Sequence, residues 1–177
     1  MFVGDVNKGA ERMITDWVAE AESRESSELF IQISSPGGKL EPAFGIYDCL
    51  RSTNIPVTTL SMGNVESSAV LIYLAGDKRL VTPTSLFMVH ALGHRLDESI
   101  TKASLGIFIE SIANNIKRYG DIFKQRTKVT KDVFDIDECL CGGERYINAV
   151  DSGLIGLATV APAEYKVPKG AVWRHIA

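Results

Sequence analysis

Short β-rich runs alternate along this chain with stretches of helical periodicity, and that alternation restricts the folds available to it. The predicted elements are a helix over 10–23, a strand over 28–33, a helix over 40–52, a strand over 57–62, a buried helix over 67–75 and short strands over 78–82 and 85–90. Strands and helices that alternate at this rhythm are typical of α/β domains with mostly parallel strands. We therefore predict an α/β fold.

The longest periodic stretch spans residues 97–127. Its apolar side chains recur at intervals of four and three residues: Leu105, Ile109, Ile112, Ile116, Tyr119 and Phe123. This spacing predicts a long helix with one apolar seam, in which Gly106 is the weak point. The seam packs either on the helix's own sheet or on another subunit, and the spacing does not distinguish the two.

Composition indicates one folded domain. The chain has 177 residues, of which 45% are hydrophobic and 23% charged, a balance unlike that of disordered chains. No repeat or linker interrupts it, so we predict a single domain over residues 1–160. A poorly periodic tail follows over 161–177, with an edge strand expected around 170–173.

Several classes of partner are not expected. The best apolar run, residues 69–75, is far shorter than the roughly 20 residues that cross a bilayer, which argues against a membrane partner. A net charge of -3 without basic blocks argues against nucleic acid. No signal peptide is recognisable, and the three cysteines (Cys49, Cys139 and Cys141) predict reduced thiols in the cytoplasm. Cys139-x-Cys141 lacks further ligands at the spacing of a zinc site, so we expect no metal.

Three segments carry residues suited to acyl-transfer chemistry. Ser35-Pro36-Gly37-Gly38 follows a strand, and paired glycines let a backbone N–H face a ligand, although an ordinary turn would have the same sequence. Ser67 begins an apolar helix, where it is either a nucleophile or a simple cap. His90 closes an apolar strand, where it is either a base or a core residue.

In combination these segments resemble the ClpP-type serine peptidases. The motifs are Ser-Pro-Gly-Gly (35–38), Ile-Tyr-Asp (46–48), Gly-x-x-x-Ser (63–67), Leu-Ala-Gly (74–76), Lys-Arg (78–79), Pro-x-Ser (83–85) and Met-Val-His (88–90). The resemblance runs from about Phe2 to Leu157. It implies a ClpP/crotonase-like fold of stacked ββα units with mostly parallel strands and a long protruding helix.

The resemblance also implies roles for individual residues. Ser67 would be the nucleophile and His90 the general base, while the backbone N–H groups of Gly38 and Ser68 would hold the oxyanion. The family requires no metal or organic cofactor. Its substrates are peptides or unfolded proteins, cleaved inside ring-shaped homo-oligomers, and the long helix would contribute to packing between rings.

The third catalytic residue depends on the alignment. The family places an Asp two residues before an aromatic, upstream of an Ala-Val-x-x-Gly-Leu helix end, which Ala149 to Leu154 match. Glu144-Arg145-Tyr146 matches the Asp-Arg-aromatic piece if three residues are missing before Gly153. We therefore predict Glu144 as the orienting acid.

Other residues become candidates without that gap. Cys141 would then fall at the acid position, which a thiol cannot serve, and Asp137 or Asp135 would be the substitute. Asp137 is the second choice after Glu144.

Two departures from the family pattern raise alternatives. Glu66 precedes the nucleophile where a small residue is usual, and its charge would oppose an oxyanion if it faced the pocket. The match begins almost at Met1, so we expect the segment that engages an ATP-dependent unfoldase to be missing, which leaves that partner open. One alternative function is that of an inactive ClpP-like subunit. The other, which the motifs support less, is that of a crotonase-like acyl-CoA enzyme.

Overall fold

The computed structural model describes residues 1–93 and 101–166. The first residues of the predicted long helix and the predicted edge strand near 170–173 lie outside this part of the chain. The secondary-structure elements are β1 (Phe2–Val3), α1 (Lys8–Ser23), β2 (Leu29–Ser35), α2 (Leu40–Ser52), β3 (Val57–Glu66), α3 (Ala69–Leu74), β4 (Lys78–Val81), β5 (Leu86–His90), α4 (Lys102–Arg126), α5 (Ile136–Gly142), β6 (Glu144–Asn148) and α6 (Ala149–Leu154).

The described strands form one sheet in the order β1-β2-β3-β5-β6, with β4 also paired to β3. Every pairing is parallel except β5 with β6, which is antiparallel. β4 lies beside the first half of β3 and β5 beside the second half, so β3 is the central strand. The predicted α/β fold with mostly parallel strands is confirmed.

Strand β3 is longer than the sequence predicts. Residues 63–66 were expected to connect a strand to a helix, but they continue the strand, because residues Asn64 to Glu66 pair with Leu86 to Met88. Gly63 has a φ of 76°, a left-handed conformation that suits glycine and misleads a sequence-based boundary. The strand therefore delivers the chain to Ser67 directly from the sheet.

Helix α3 occupies the centre of the core. All six of its residues are buried, as are the inward-facing residues Ile14 and Val18 of α1 and Phe44 and Leu50 of α2. Such an all-apolar helix is stable only when it is covered on every side. Its position fixes the residues immediately before it, Ser67 and Ser68, at the junction between sheet and core.

The predicted seam on α4 divides into two halves. Tyr119 and Phe123 are fully buried, whereas Leu105 and Ile109 are exposed, Ile109 to 59%. The C-terminal half of the helix packs on the domain. The N-terminal half extends beyond the domain, and its apolar side chains are exposed to solvent. This is the long protruding helix that the resemblance implies.

Candidate active site

Ser67 and His90 lie side by side. The Ser67 hydroxyl and His90 Nε2 are 2.9 Å apart, a hydrogen-bond distance. The parallel pairing of β3 with β5 brings them together, because Glu66 pairs with Met88 and the Ser67 N–H donates to the Met88 carbonyl over 2.7 Å. His90 is two residues further along β5, on the same side of the sheet as Met88.

The backbone of Ser67 is strained. Its φ is 53°, in the left-handed region that non-glycine residues rarely occupy. The chain turns sharply there, between the end of β3 and the start of α3, and this turn presents the hydroxyl beside the imidazole. Strain of this kind is retained where the surrounding structure enforces it, commonly at functional sites.

The glycine loop packs against this turn. A Cβ on Gly37 would lie 2.7 Å from Ser67 Cβ and 3.0 Å from the Ser68 backbone nitrogen, so only glycine fits. The Ser35 hydroxyl holds the loop, because it donates to the Gly4 carbonyl over 2.6 Å and accepts from the Gly37 N–H at 3.1 Å. The loop and the Ser68 amide are therefore immediate neighbours.

The Gly38 amide faces away from the neighbouring segment. Val6 bonds to the residues on either side of Gly38, accepting from Lys39 and donating to Gly37, each over 2.8 Å. In a parallel bridge of this kind the N–H of the central residue points to the opposite side. The Gly38 N–H is thus directed away from Val6, and a Cβ at Gly38 would lie only 2.4 Å from the Val6 carbonyl oxygen.

Glu144 lies opposite His90. The two residues are direct partners in the antiparallel pair of β5 and β6, so their side chains share one face of the sheet. The Glu144 carboxylate interacts with the hydroxyl of Tyr146: its negative charge, and a hydrogen bond to it, raise the pKa of that tyrosine. Among the described residues, no ion pair joins Glu144 to His90.

The other candidate acids are engaged elsewhere. Asp137 on α5 forms an ion pair with Lys124 of α4. The Asp135 carboxylate caps α5, accepting from the backbone N–H groups of Glu138 and Asp137 over 3.1 Å. The Glu138 bond and the charge of Lys131 hold the pKa of Asp135 below its usual value. Cys141 is an exposed thiol of α5. Glu144 is the candidate that the strand register brings next to His90.

Glu66 lies on the same face of the sheet as His90, because it pairs with Met88, two residues before that histidine. Its carboxylate accepts a hydrogen bond of 2.7 Å from the Asn64 side chain, which stands on the same face two residues earlier. Met88 pairs with Glu66 on one side and with Tyr146 on the other, so the three side chains form a row across the sheet. The Glu66 charge is thereby held by a neighbour on its own strand.

One contact at this site was not predicted from the sequence. The hydroxyl of Tyr119, on α4, donates to the Ser67 carbonyl over 2.9 Å. Helical periodicity predicts Tyr119 as part of the apolar seam and assigns its hydroxyl no role. The sequence does contain a signal for such a contact, namely a tyrosine within a seam of otherwise apolar side chains. A buried tyrosine hydroxyl generally requires a hydrogen-bond partner.

No group of three or more histidine, cysteine, aspartate or glutamate side chains is arranged to hold a metal ion in residues 1–93 and 101–166. None of the helices in that part of the chain combines the length and apolarity of a membrane span. All three cysteines are free thiols.

Comparisons with known proteins give the family and the fold. The profile of the Clp protease family matches residues 2–158. In solved structures, a ClpP1 mutant from Listeria monocytogenes has the same fold, with a TM-score of 0.81 at 19% sequence identity, covering 94% of this chain and 91% of that one.

Two curated relatives share sequence with the chain. An ATP-dependent Clp protease proteolytic subunit of Pleurastrum terricola is 40% identical over 93 residues, which are 51% of this chain and 47% of the relative. Proteolytic subunit 2 of the same protease in Treponema denticola is 34% identical over 93 residues, 51% of this chain and 46% of that one. The matches thus span about half the length of these relatives. Because the family profile covers most of the sequence, the chain belongs to the Clp protease family.

Proposed function

We propose that the chain is a serine endopeptidase that hydrolyses peptide bonds through an acyl-enzyme. The observation that carries the proposal is the 2.9 Å contact between the Ser67 hydroxyl and His90 Nε2. Serine is a weak nucleophile at neutral pH and requires an adjacent base, and an imidazole at this distance is the base most often found. Membership of the Clp protease family supports the same chemistry.

Each group has one role in the reaction. His90 Nε2 takes the hydroxyl proton as Ser67 Oγ attacks the substrate carbonyl, and the N–H groups of Gly38 and Ser68 stabilise the oxyanion that forms. The tetrahedral intermediate then expels the amine, which receives the proton from His90. Water, deprotonated by the same imidazole, hydrolyses the ester and restores the Ser67 hydroxyl.

Glu144 supplies the orienting carboxylate in this proposal. Its position opposite His90 in the β5–β6 pair supports the assignment. Rotation of the Glu144 side chain from the Tyr146 hydroxyl to His90 Nδ1 would fix the tautomer that leaves Nε2 free to accept a proton. A glutamate serves this purpose as well as the aspartate that is usual in the family.

The proposed substrate is an extended peptide or unfolded protein, and the proposed assembly is a ring of identical subunits. The uncovered apolar residues on the protruding half of α4, Leu105, Ile107 and Ile109, support an oligomer, since exposed apolar clusters mark interfaces. The sequence leaves an ATP-dependent unfoldase open as a partner, and a cytoplasmic location stays a prediction from cysteine usage.

A second candidate is a ClpP-like subunit without turnover. The observation that favours it is that no ion pair joins His90 to a carboxylate in the part of the chain that the structure describes. Such a subunit would keep the fold and the assembly surface only.

Covalent labelling separates the two candidates. We expect a fluorophosphonate probe to modify the folded oligomer at Ser67, as located by peptide mass spectrometry. Ser67→Ala should abolish labelling and His90→Gln should slow it by several orders of magnitude, whereas Ser52→Ala, at an exposed serine of α2, should not change it. A folded oligomer that does not react would support the inactive subunit and contradict the peptidase.

A further inference from the structure

The hydroxyl of Tyr119 links the long helix to the proposed nucleophile. Tyr119 is fully buried in the C-terminal half of α4, and its hydroxyl donates to the carbonyl oxygen of Ser67 over 2.9 Å. The other members of the seam are leucine, isoleucine and phenylalanine, so packing alone does not require a hydroxyl here. The tyrosine therefore adds one polar contact, and that contact is made to Ser67.

The contacted carbonyl shares a peptide group with the Ser68 N–H, one of the proposed oxyanion donors. A peptide group is planar, so fixing its oxygen also fixes the direction of its N–H. The same oxygen accepts a second bond, of 3.1 Å, from the Val70 N–H in the first turn of α3. Hydrogen bonds to a carbonyl also polarise the amide, strengthening the N–H as a donor by roughly 10–30% per bond.

We propose that Tyr119 is a positioning residue for the oxyanion site: its hydroxyl anchors and polarises the Ser67–Ser68 peptide, so that the Ser68 N–H is held toward the developing negative charge. This inference rests on the proposed peptidase function. A donor that acts on the oxyanion stabilises the transition state more than the bound substrate. Loss of the hydroxyl should therefore lower kcat and leave KM nearly unchanged.

The hydroxyl is a donor under all conditions in which the site would work. Burial raises the pKa of Tyr119 far above that of a free phenol, so the proton is retained at neutral and alkaline pH. Removal of the hydroxyl should accordingly leave the pH dependence of hydrolysis unchanged. An effect on kcat without a shift in pH profile separates this role from a disturbance of His90.

The chain contains a matched control for this test. Tyr73 in α3 is also fully buried, and its hydroxyl donates to a backbone carbonyl, that of Leu80, over 3.1 Å. Tyr73→Phe therefore removes a similar hydrogen bond from the same core, but the bonded carbonyl is not part of the proposed site. Both phenylalanine variants should lose a similar amount of thermal stability.

The experiment compares Tyr119→Phe, Tyr73→Phe and the wild type in peptide hydrolysis and in the rate of fluorophosphonate modification. Complete loss of an oxyanion donor costs on the order of 10²–10³ in rate, so we expect the weakened donor of Tyr119→Phe to lower kcat and the modification rate roughly 5- to 20-fold. Tyr73→Phe should stay within about twofold of the wild type. If the two variants have the same kcat, the inference is wrong.

A second variant tests the hydroxyl separately from the packing. Replacement of Tyr119 by 3-fluorotyrosine keeps the ring and the hydroxyl, and we expect it to retain the wild-type rate within about twofold. A loss equal to that of Tyr119→Phe, although the hydroxyl is present, would mean that the rate does not depend on this hydroxyl, and would overturn the inference. An inactive wild type would overturn both this inference and the proposed function, whereas an active wild type with no Tyr119→Phe effect overturns this inference alone.

Discussion

Glu144 lies directly opposite His90 across the antiparallel pair of β5 and β6, while its carboxylate interacts with the hydroxyl of Tyr146 two residues further along β6. The strand register thus places a carboxylate within side-chain reach of the imidazole, and a tyrosine competes for it. The relationship leads to a prediction about each of the two residues on β6.

Glu144→Gln should lower kcat by roughly 10²-fold or more without unfolding the protein, because an amide cannot stabilise the imidazolium that forms during attack. Steady-state hydrolysis of a fluorogenic peptide measures the change. Asp137→Asn is the control, since Asp137 pairs with Lys124, and it should stay within about twofold of the wild type. Equal losses in the two variants would contradict the assignment of Glu144.

Tyr146→Phe should leave kcat unchanged or raise it. The variant removes the hydroxyl that interacts with Glu144 and keeps the ring in its half-exposed position on β6. The freed carboxylate can then turn toward His90 more often. A large fall in kcat would indicate that the tyrosine hydroxyl holds Glu144 in its working position.

The strained backbone of Ser67 predicts an unusual order of stabilities. Alanine at a φ of 53° keeps the steric cost of a Cβ in the left-handed region, whereas glycine removes it. Glycine also increases the conformational entropy of the unfolded chain, which offsets part of this steric gain. We therefore expect Ser67→Gly to be about 0.5–1 kcal/mol more stable than Ser67→Ala. Urea unfolding of the two inactive variants gives the difference.

Ser68 provides the matched comparison. Its φ is -63°, an ordinary helical value, so the order should reverse there and Ser68→Ala should be more stable than Ser68→Gly. The same order at both positions would mean that the backbone of Ser67 is not strained.

Asp77 predicts a pH dependence of stability. Burial alone would raise its pKa, but the Val57 amide, which donates to the carboxylate over 3.0 Å, and the paired Arg51 guanidinium outweigh burial and lower the pKa. A lowered folded-state pKa stabilises the protein above the unfolded pKa of about 4, and that stabilisation is lost as pH falls through the folded value.

The corresponding measurement is urea unfolding of the wild type and Asp77→Asn at two pH values. At pH 7 the variant should be less stable by up to about 1 kcal/mol, a small figure because the pair is partly exposed to solvent. At a pH well below 4 the wild-type carboxyl takes up its proton as the pH falls through its folded-state pKa, so the difference should shrink. A difference that is constant with pH would contradict an ionic role for Asp77.

Local patterns predicted most of the fold. Helix α2 begins and ends where its periodicity indicates, and the seam of α4 has the predicted spacing. The end of β3 was missed because Gly63 and the residues after it have turn-like character, and only pairing with β5 keeps them in the sheet. The solvent exposure of the apolar side chains of α4 also depends on tertiary structure, since their spacing does not indicate which part of the helix packs on the domain.

The site was predicted less completely than the fold. The resemblance to a known family predicts Ser67, His90 and Glu144 in one site, and their catalytic roles stay a prediction. In the structure the Ser67 hydroxyl lies at hydrogen-bond distance from His90, and Glu144 pairs with His90 in the strand register. The Tyr119 contact was not predicted because it joins residues 52 positions apart, and helical periodicity carries no information about what the far end of a side chain touches. The partner of Glu144 depends on strand register in the same way.

The most direct test of the central claim is cleavage of an unfolded polypeptide by the assembled protein, with the new termini identified by mass spectrometry. We expect the wild type to produce peptides at a measurable rate and Ser67→Ala, in the same folded and assembled state, to be slower by a factor of at least about 10³. Cleavage by Ser67→Ala at the wild-type rate would show that this hydroxyl is not the nucleophile and would contradict the account.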